Sequence, residues 1–419
     1  MLFVFFVVKL DLLVRRAVCF PNLRFMLKYE TMNIAIDLTQ IPADKTGVGI
    51  YALNLIREML NINNTSRKFH FILFTQDDDN TLLNLVKKNN NTTLIPVKHT
   101  LFRKLLPRLF FEQVLLPRKC RKLKADLIFS THYTIPYFTR IKRVVAFHDT
   151  TFYRFPELHR KIKRLYFKAL IPLSIKKSSA IISVSQSTRN DLIDRFKRLD
   201  PNKITVIHHG TDFFYGDGNE KEQFCRKILG KYGLNANEYF LFVGTLEPRK
   251  NITGLLEAFH LLRQTDKAVE EKYKLVIVGK KGWFYNKIFE TTQKLELENA
   301  VIFTGYVEEE EKQALLLNAS LFIYPSFYEG FGIPILEAMA GGTPVITSGV
   351  SALPEVAGDA AVFIDPQNWE EISTAMASLL GDRTLYEDLT KKGLAQAKKF
   401  SWQSTAANCL EVHTLQSAT

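Results

Sequence analysis

The sequence predicts an α/β protein built from two doubly wound parallel sheets that face each other across a cleft. Short apolar runs alternate with longer helical segments along the chain, which is the order of parallel strands joined by crossover helices. Runs such as LFVG, LVIVG and VIFTG are largely apolar and end in glycine, as strands buried on both faces do. A chain of 419 residues is too long for one ordinary core, so two domains are expected.

The predicted strands fall into two groups, one in each half of the chain. In the first half they are 33–37, 69–74, 94–97, 126–130, 144–147, 180–184 and 204–207. In the second half they are 239–243, 274–278, 301–303, 321–324, 344–347 and 361–364. Helices are expected between the strands, as over residues 251–263 and 308–318.

A polar, glycine-containing stretch interrupts this alternation near the middle of the chain and predicts the boundary between the domains. The expected divisions are a first domain at residues 32–210, a linker at 211–220, a second domain at 221–400 and a terminal helix at 401–419. Residues 1–31 are an uncertain leader, because Met32 begins the first strand-like segment. The leader's apolar run is too short to span a bilayer, and two alternatives stay open: an artefact of an upstream start, or a tail that contacts a membrane.

The composition is that of a globular protein, with 46% hydrophobic and 24% charged residues. A net charge of +13 permits an anionic substrate, an anionic membrane surface or nucleic acid as a partner. Nucleic acid is disfavoured, because the sequence contains no helix-turn-helix, RNP or zinc-finger pattern. The four cysteines form no CxxC pair, so neither a disulfide framework nor a zinc site is indicated, and a reducing, cytoplasmic location is expected.

Basic residues concentrate between Lys98 and Lys124, where nine Lys or Arg residues and a single acid, Glu112, are interleaved with leucine and phenylalanine. A basic amphipathic segment of this kind can lie peripherally on anionic lipid. The alternative is an ordinary helix whose apolar face packs into the core. The sequence leaves both interpretations open.

The most informative stretch is YPSFYEGFGIPILEAMAGGTPVITS at residues 324–348, which runs from an apolar strand through a glycine-rich loop into a short helix. The loop carries Glu329 and the helix carries Glu337. Glycines at a helix start expose backbone N–H groups, and the helix dipole favours an anion there. The string therefore predicts a phosphate site flanked by two carboxylates, although the spacing alone favours a plain βα turn with Glu337 solvated.

A second element, VGTLEPRKN at residues 243–251, follows an apolar strand and opens a helix, so Arg249 and Lys250 should lie at a strand's carboxyl end. Two cations beside a helix start suit a diphosphate, because they neutralise the charge that grows on a leaving group. The alternative is a solvated basic pair near a helix terminus. In the first half, KTGVGIY at 45–51 and FHDTT at 147–151 also follow strands, and the ends of parallel strands meet at one edge.

Together these strings resemble the donor-site signature of the family-4 retaining glycosyltransferases, which have the two-domain GT-B fold. The resemblance covers nearly all of residues 32–413, and it implies that the final helix crosses back onto the first domain. By resemblance Glu329 contacts the donor sugar and Glu337 holds the ribose hydroxyls of the nucleotide. The other donor contacts implied in this loop are Gly330, Phe331 and Gly332.

The resemblance also assigns the diphosphate to Arg249 and Lys250, with Gly244 and Thr245 beside it. Many members of the family carry an arginine where this chain has Thr245, so either Arg249 matters more here or the phosphate clamp is weaker. Val307, which follows a later strand, is the expected contact for the nucleotide base.

In the first domain, the resemblance extends to both strand-end loops. Gly47 and Gly49 match the glycine loop that faces the donor sugar and the acceptor. His148 matches a histidine near the donor sugar, and we expect it to take part in catalysis with Glu329 and the two cations. Asp149, the next residue, is expected on the acceptor side.

The resemblance implies a hexosyltransferase, because the wording GTLEPRKN resembles members that transfer mannose or related hexoses to lipid-linked saccharides. Its donor would be a nucleoside-diphosphate sugar and its acceptor a saccharide or lipid-linked saccharide, with retention of configuration, at the inner face of the plasma membrane during polysaccharide assembly. A GT-B-fold epimerase or phosphorylase and a non-catalytic nucleotide-sugar-binding protein stay as alternatives. We expect no metal and no cofactor, because no HExxH or Cys/His cluster occurs and the D-x-D pattern at 77–79 predicts a solvated loop.

Overall fold

The structure is a computed structural model, and it describes residues 31–41, 45, 47–66, 68–87, 89, 91–158, 161–211 and 219–418. The expected leader lies outside the described residues except for Thr31, and residues 212–218 of the expected linker also lie outside them. Asn219 and Glu220, which we expected in the linker, begin a helix instead.

Within the described residues, the first sheet has seven parallel strands in the order β3-β2-β1-β4-β5-β6-β7. They are β1 Met32–Asp37, β2 Phe69–Gln76, β3 Thr92–Val97, β4 Leu127–Ser130, β5 Lys142–Phe147, β6 Ala180–Ser183 and β7 Ile204–Val206. The strand order reverses between β1 and β4, so a crevice opens beyond the carboxyl ends of these two strands.

The second sheet, counted over the same described residues, has six parallel strands in the order β10-β9-β8-β11-β12-β13. They are β8 Tyr239–Val243, β9 Lys274–Val278, β10 Val301–Gly305, β11 Leu321–Tyr324, β12 Val345–Ser348 and β13 Ala361–Ile364. Its order reverses between β8 and β11, the strands that precede the two donor-site strings.

Helices connect most successive strands of both sheets, and the connection from β4 to β5 contains none. In the first half they are α1 Gly47–Ser66, α2 Asn80–Lys87, α3 Leu105–Phe110, α4 Leu116–Lys122, α5 Thr151–Arg154, α6 Lys161–Lys177 and α7 Gln186–Arg195. In the second half they are α8 Asn219–Lys231, α9 Ile252–Thr265, α10 Lys267–Lys272, α11 Asn286–Lys294, α12 Glu309–Asn318, α13 Ile333–Ala340, α14 Leu353–Ala357, α15 Trp369–Gly381, α16 Arg383–Ala397 and α17 Trp402–Ala418. Shorter 3₁₀ turns lie at His99–Arg103, Pro156–Leu158, Pro201–Lys203 and Pro248–Lys250.

Each sheet is buried between helices, and the last helix packs on the first half of the molecule. Trp402, Ala406 and Leu410 of α17 lie in the same apolar cluster as Ile34 of β1 and Leu55 of α1. The chain thus returns from the second sheet to the layer that covers the first, burying an apolar face that would otherwise be exposed to water.

The predicted fold class is confirmed, and each of the thirteen predicted strands has a counterpart among the described strands. The basic segment between Lys98 and Lys124 differs from the single helix that we considered. It consists of a 3₁₀ turn, α3, a π-helical turn at Phe111–Leu115 and α4. Most of its apolar side chains pack into the core, and Leu106 and Phe110 remain more than half exposed.

Candidate functional site: an ion cluster where two sheets meet

The loops that follow β8 and β11 are joined where the second sheet reverses its strand order. After β8, the turn Pro248–Lys250 presents two cations, and Asn251 then takes a left-handed conformation, φ 55°, and starts α9. The backbone N–H of Phe327 donates to the carbonyl oxygen of Arg249 over 2.9 Å. This bond holds the loop after β11 against the cationic turn.

Glu329 forms the centre of a buried ion cluster with the two predicted cations. Its Oε1 lies 2.6 Å from Lys250 Nζ, and its Oε2 lies 2.8 Å from Arg249 Nη1. Arg249 also pairs with Glu247, at 2.7 Å between Nη2 and Oε1. Sequence reasoning missed Glu247, which is 2% exposed and makes the cluster one of two cations and two carboxylates. The structure brings Arg249, Lys250 and Glu329 together as the sequence predicted.

The charged groups in this cluster shift one another's pKa values. Burial acts to raise the pKa of Glu329, but Arg249 and Lys250 outweigh it and lower that pKa to about 2. Burial also acts to lower the pKa of Arg249, and Glu329 and Glu247 outweigh it, so the pKa of Arg249 is raised. Glu329 is therefore ionised at neutral pH, and both of its oxygens are already engaged by cations.

Glu337, the second carboxylate of the string, lies on α13 and has a partner that the sequence did not reveal. Lys312 Nζ of α12 lies 2.7 Å from Glu337 Oε1 and 2.9 Å from Glu309 Oε2. Burial raises the pKa of Glu337, opposed by the charge of Lys312. Glu337 is thus a buried, paired carboxylate and not the solvated helix residue of the alternative interpretation. The lysine that directly follows the acidic run at 308–311 was the available sequence signal.

The glycine loop of the first domain lies at the crevice beyond β1, where α1 begins at Gly47. A side chain at position 49 would lie 3.1 Å from Lys45, so Gly49 leaves room for that lysine. Lys45 forms an ion pair with Asp79, which is 1% exposed. The third aspartate of the run at 77–79 is therefore buried and paired, and our prediction of a fully solvated loop was wrong there.

His148 lies at the end of β5, buried among aromatic rings. Its Nε2 is 2.7 Å from the carbonyl oxygen of Thr131, so Nε2 carries the ring proton and donates a hydrogen bond to that carbonyl. Nδ1 is then an unprotonated acceptor, and it is buried without a hydrogen-bond partner in the described structure. Burial lowers the pKa of His148, so the ring is neutral at pH 7. Asp149 Oδ1 accepts from the N–H and hydroxyl of Thr151, at 3.0 and 2.7 Å.

The remaining predicted donor residues lie in two groups. Gly244 and Thr245 begin the loop after β8, and Val307 is buried just beyond β10. The side chain of Phe331 packs against aromatic rings and not against the charged groups of the ion cluster. Its ring centroid is 4.8 Å from that of His209 and 6.0 Å from that of Phe400. Only the backbone of Phe331 is then available to an anion.

Gly330 and Gly332 are required by the backbone of the loop that carries Glu329. A Cβ at position 330 would lie 1.6 Å from the carbonyl oxygen of His148, so the two halves approach each other through main chain there. Gly332 has φ 113° and begins α13, a conformation that favours glycine. Both glycines therefore serve the approach of the two halves and the helix start.

The described residues contain one group of acidic and histidine side chains with metal-like spacing. Asp77, Asp78 and His99 place ligand atoms within 4.8 Å of one another. His99 Nδ1 lies 2.8 Å from Asp77 Oδ1, and the backbone N–H of His99 also donates to that oxygen, so hydrogen bonds within the loops account for the group. The expectation that no metal or cofactor is needed stays a prediction.

Two family descriptions match the chain, one for each half. The description Glycosyltransferase Family 4 matches residues 45–213, and Glycosyl transferases group 1 matches residues 226–396. Among solved structures, Anabaena HepE in complex with UDP and glucose has a TM-score of 0.71 at 18% identity, over 91% of this chain and 99% of that one. The fold and the ion cluster thus define a glycosyltransferase of the GT-B class.

Curated relatives identify the family within that class. The O-antigen chain mannosyltransferase B of Escherichia coli is 32% identical over 92% of this chain and 100% of its own length. The O-antigen chain mannosyltransferase RfbU of Salmonella typhimurium is 29% identical over 60% of this chain and 64% of its own length. The chain belongs to the family-4 glycosyltransferases.

Proposed function

We propose that the protein transfers a mannosyl residue from a nucleoside-diphosphate sugar to a saccharide or lipid-linked saccharide acceptor, with retention of anomeric configuration and without a metal. The full-length similarity to the mannosyltransferase of Escherichia coli supports the sugar and the type of acceptor. The observation that carries the proposal is the buried cluster of Arg249, Lys250 and Glu329 at the point where the second sheet reverses its order.

The cluster suits leaving-group stabilisation. In the docked arrangement of the two halves, Arg249 and Lys250 are held in place by the carboxylates of the cluster, so little reorganisation is needed when a diphosphate develops negative charge. Glu329 and Glu247 pair with the two cations, because a buried cation without a partner would be costly in free energy. Because Arg249 and Lys250 already supply positive charge at the proposed phosphate position, a divalent metal is not needed there.

The carboxylates have separate tasks in this mechanism. Glu329 is ionised and bound by cations on both oxygens, so it is a weak nucleophile and a poor proton donor, and it serves to fix donor-sugar hydroxyls. Glu337, paired with Lys312, accepts hydrogen bonds from the ribose. The neutral His148 ring offers an unprotonated Nδ1 as an acceptor for a sugar or acceptor hydroxyl. Retention then depends on the departing diphosphate and not on a strong enzymic base.

The decisive experiment measures donor binding first and transfer second. Thermal-shift screening against GDP-, UDP-, ADP- and dTDP-sugars identifies the nucleotide, because a ligand that binds only the folded state raises the apparent melting temperature. Release of nucleoside diphosphate is then measured with and without an acceptor lysate, in the presence of EDTA. We expect acceptor-dependent release that EDTA does not abolish, and NMR of the early product should show the donor's anomeric configuration.

Each rival function gives a different result in the same assay. Interconversion of nucleotide sugars without an acceptor would indicate an epimerase, and pyridoxal-phosphate absorbance of the purified protein would indicate a phosphorylase. Binding without release in any acceptor lysate would favour a non-catalytic nucleotide-sugar-binding protein. A product of opposite configuration would overturn retention while leaving the transferase intact.

A peripheral position on an anionic membrane forms the second part of the proposal. No helix within the described residues is both long and apolar enough to cross a bilayer. Leu106 and Phe110 of α3 and Ile162 and Leu165 of α6 are more than half exposed, and the inner faces of these two helices share one apolar cluster. These four residues, which we call the apolar rim, lie in a strongly basic half of the molecule, as lipid-surface binding requires.

Vesicle flotation tests the apolar rim. The protein should float with anionic vesicles and much less with neutral ones, and a Leu106→Ser, Phe110→Ser double variant should lose most of the binding. Leu394→Ser, which changes an exposed leucine on α16, is the matched control and should bind like the unaltered protein. Equal flotation with neutral vesicles, or an unaffected double variant, would contradict the membrane proposal.

A further inference from the structure

The loop that carries Glu329 is bonded to the first domain on both sides of that residue. On one side, the hydroxyl of Tyr328 donates to Asp191 Oδ2 over 2.8 Å and accepts from the backbone N–H of Thr150 over 3.3 Å. On the other side, the carbonyl oxygen of Gly330 accepts from the hydroxyl of Ser185 over 2.6 Å. Glu329 is therefore held between two contacts that both reach across the domain boundary.

The Tyr328 contact is buried and its charge is balanced. Tyr328 is 3% exposed and Asp191 is 8% exposed. Asp191 Oδ1 accepts from Arg154 Nε over 3.1 Å, and Thr150 donates its hydroxyl to Asp191 Oδ2 over 2.9 Å. Burial raises the pKa of Tyr328, so its hydroxyl stays protonated and can donate at any working pH. A charge-assisted bond of this kind is among the stronger hydrogen bonds in proteins.

The same residue touches the ion cluster through its backbone. The carbonyl oxygen of Tyr328 accepts from Arg249 Nη1 over 2.5 Å, and that guanidinium nitrogen also pairs with Glu329. The ring of Tyr328 thus contacts the first domain through its hydroxyl, while its carbonyl oxygen contacts the cluster that grips the diphosphate. A change in the position of the ring must move the acceptor that orients Arg249.

Water has access to the border of this contact. A cavity of about 720 Å³ lies between the two halves, lined by Tyr328, Asp191, Arg154, Phe327 and Ser351, among other residues. Water in it can replace the hydrogen bonds of Tyr328 when the halves separate, so these bonds can break and re-form. Such a contact suits a closure step in the catalytic cycle.

We propose that Tyr328 is a positioning residue, whose hydroxyl bond to Asp191 makes the correct geometry of the Arg249, Lys250 and Glu329 cluster depend on contact between the two domains. The inference rests on the proposed function, since it assumes that this cluster holds the donor diphosphate. It also explains how transfer would be coupled to domain closure. The cations reach their final orientation only when the first domain is docked, and that domain supplies the acceptor side.

The test removes the hydroxyl alone. Tyr328→Phe keeps the ring, and Asp191 keeps its bonds to Arg154 and Thr150. Tyr386→Phe is the matched control, because the hydroxyl of Tyr386 also donates one hydrogen bond, over 3.1 Å to the carbonyl of Ser320, but within the second half. We expect kcat for transfer to fall about 10- to 100-fold in Tyr328→Phe, with the donor KM within about threefold, and no such fall in the control.

Two further measurements separate positioning from general stability. Asp191→Asn should lower kcat, and the double variant with Tyr328→Phe should be no worse than the worse single variant, since both changes disrupt the same hydrogen bond between Tyr328 and Asp191. Hydrogen exchange of residues 326–331 should be faster in Tyr328→Phe than in the unaltered protein or the control. Additive effects on kcat, a kcat equal to that of the control, or unchanged exchange would each overturn the proposal.

These readouts keep the two proposals apart. If the unaltered protein transfers sugar from none of the tested nucleotide sugars, the proposed function fails. The hydrogen-exchange measurement still reports whether Tyr328 docks the loop. If transfer occurs and Tyr328→Phe behaves like Tyr386→Phe, the proposed function stands and the positioning role is rejected.

Discussion

The buried carboxyl of Glu112 predicts a measurable dependence of stability on pH. Glu112 is the one acid of the basic segment, and it lies in the π-helical turn, 2% exposed. Its Oε2 accepts from Gln40, Thr134 and Tyr166, at 3.2, 3.1 and 3.1 Å, and its Oε1 accepts from Gln113 at 3.0 Å. Burial, reinforced by the charge of Asp37, raises the pKa of Glu112 from 4.5 to about 7.

The raised pKa fixes the sign of the effect. Between pH 4.5 and about 7 the folded protein keeps a proton on Glu112 that the unfolded chain releases, so stability falls as pH rises through this window and levels off above it. At about 1.36 kcal/mol per pKa unit, the full penalty at pH 8 is about 3 kcal/mol. Part of the penalty is already present at pH 5, so the change between pH 5 and 8 is about 2 to 3 kcal/mol.

The perturbation is Glu112→Gln, which cannot titrate. The amide nitrogen of the new side chain faces the donating group of Gln113, a mismatch that costs about 1 kcal/mol at every pH. The variant should therefore be less stable than the unaltered protein, or equal to it, at pH 5 and more stable by about 2 kcal/mol at pH 8. The two stability curves should converge or cross within the window.

Urea unfolding at pH 5, 6, 7 and 8 and constant ionic strength measures this difference, followed by far-UV circular dichroism. Glu290→Gln, a change at an exposed glutamate of α11, is the control and should differ from the unaltered protein by a constant amount. If the difference for Glu112→Gln is also constant across this range, Glu112 does not titrate with a raised pKa and the reasoning is refuted.

Three further predictions concern the ion cluster and its loop. Lys250→Met should lower transfer about 100- to 1000-fold and reduce the unfolding free energy by about 3 kcal/mol, because a buried carboxylate loses a cation. Initial rates measure the first effect and urea unfolding the second. Full activity of the variant would remove this residue from the site. Lys312→Met should weaken binding of the nucleoside diphosphate about tenfold by calorimetry with kcat little changed, because Glu337 loses the cation that favours its ionised form; unchanged affinity would contradict the ribose role. Gly330→Ala should lower transfer about 100-fold and expand the molecule in small-angle scattering, because its Cβ would meet the opposite domain's backbone at 1.6 Å. Gly230→Ala is the control, because a Cβ there meets nothing within 4 Å, and it should change neither transfer nor size.

The strands were predictable from the sequence because their signal is local. A parallel strand buried on both faces is a short apolar run, as in LVIVG, and the glycine that ends it is visible in the same few residues. The loops of the site share this advantage, since a loop's position at a strand end follows from the strand itself. Arg249, Lys250 and Glu329 could be placed at one edge for this reason, and the structure brings their side chains into contact.

The partners of these residues could not be predicted, because the contacts join distant parts of the chain. Lys312 and Glu337 are 25 residues apart, and Tyr328 and Asp191 are 137 apart. Nothing in the local pattern distinguishes Asp191 from a solvated acid on a helix, or Glu112 from a charge within a basic surface segment. The same limit explains the error at Asp79, whose burial depends on the position of Lys45.

The sequence by itself determined the thirteen strands, the class of fold and the three charged groups of the cluster, because apolar periodicity and glycine turns act over a few residues at a time. Only the tertiary structure decided which charges neutralise one another, which carboxyls keep a raised or lowered pKa, and how the loop of Glu329 is held by the facing domain. The physical reason is that burial and Coulomb energy depend on distances in space, and those distances exist only once both sheets are packed and face each other.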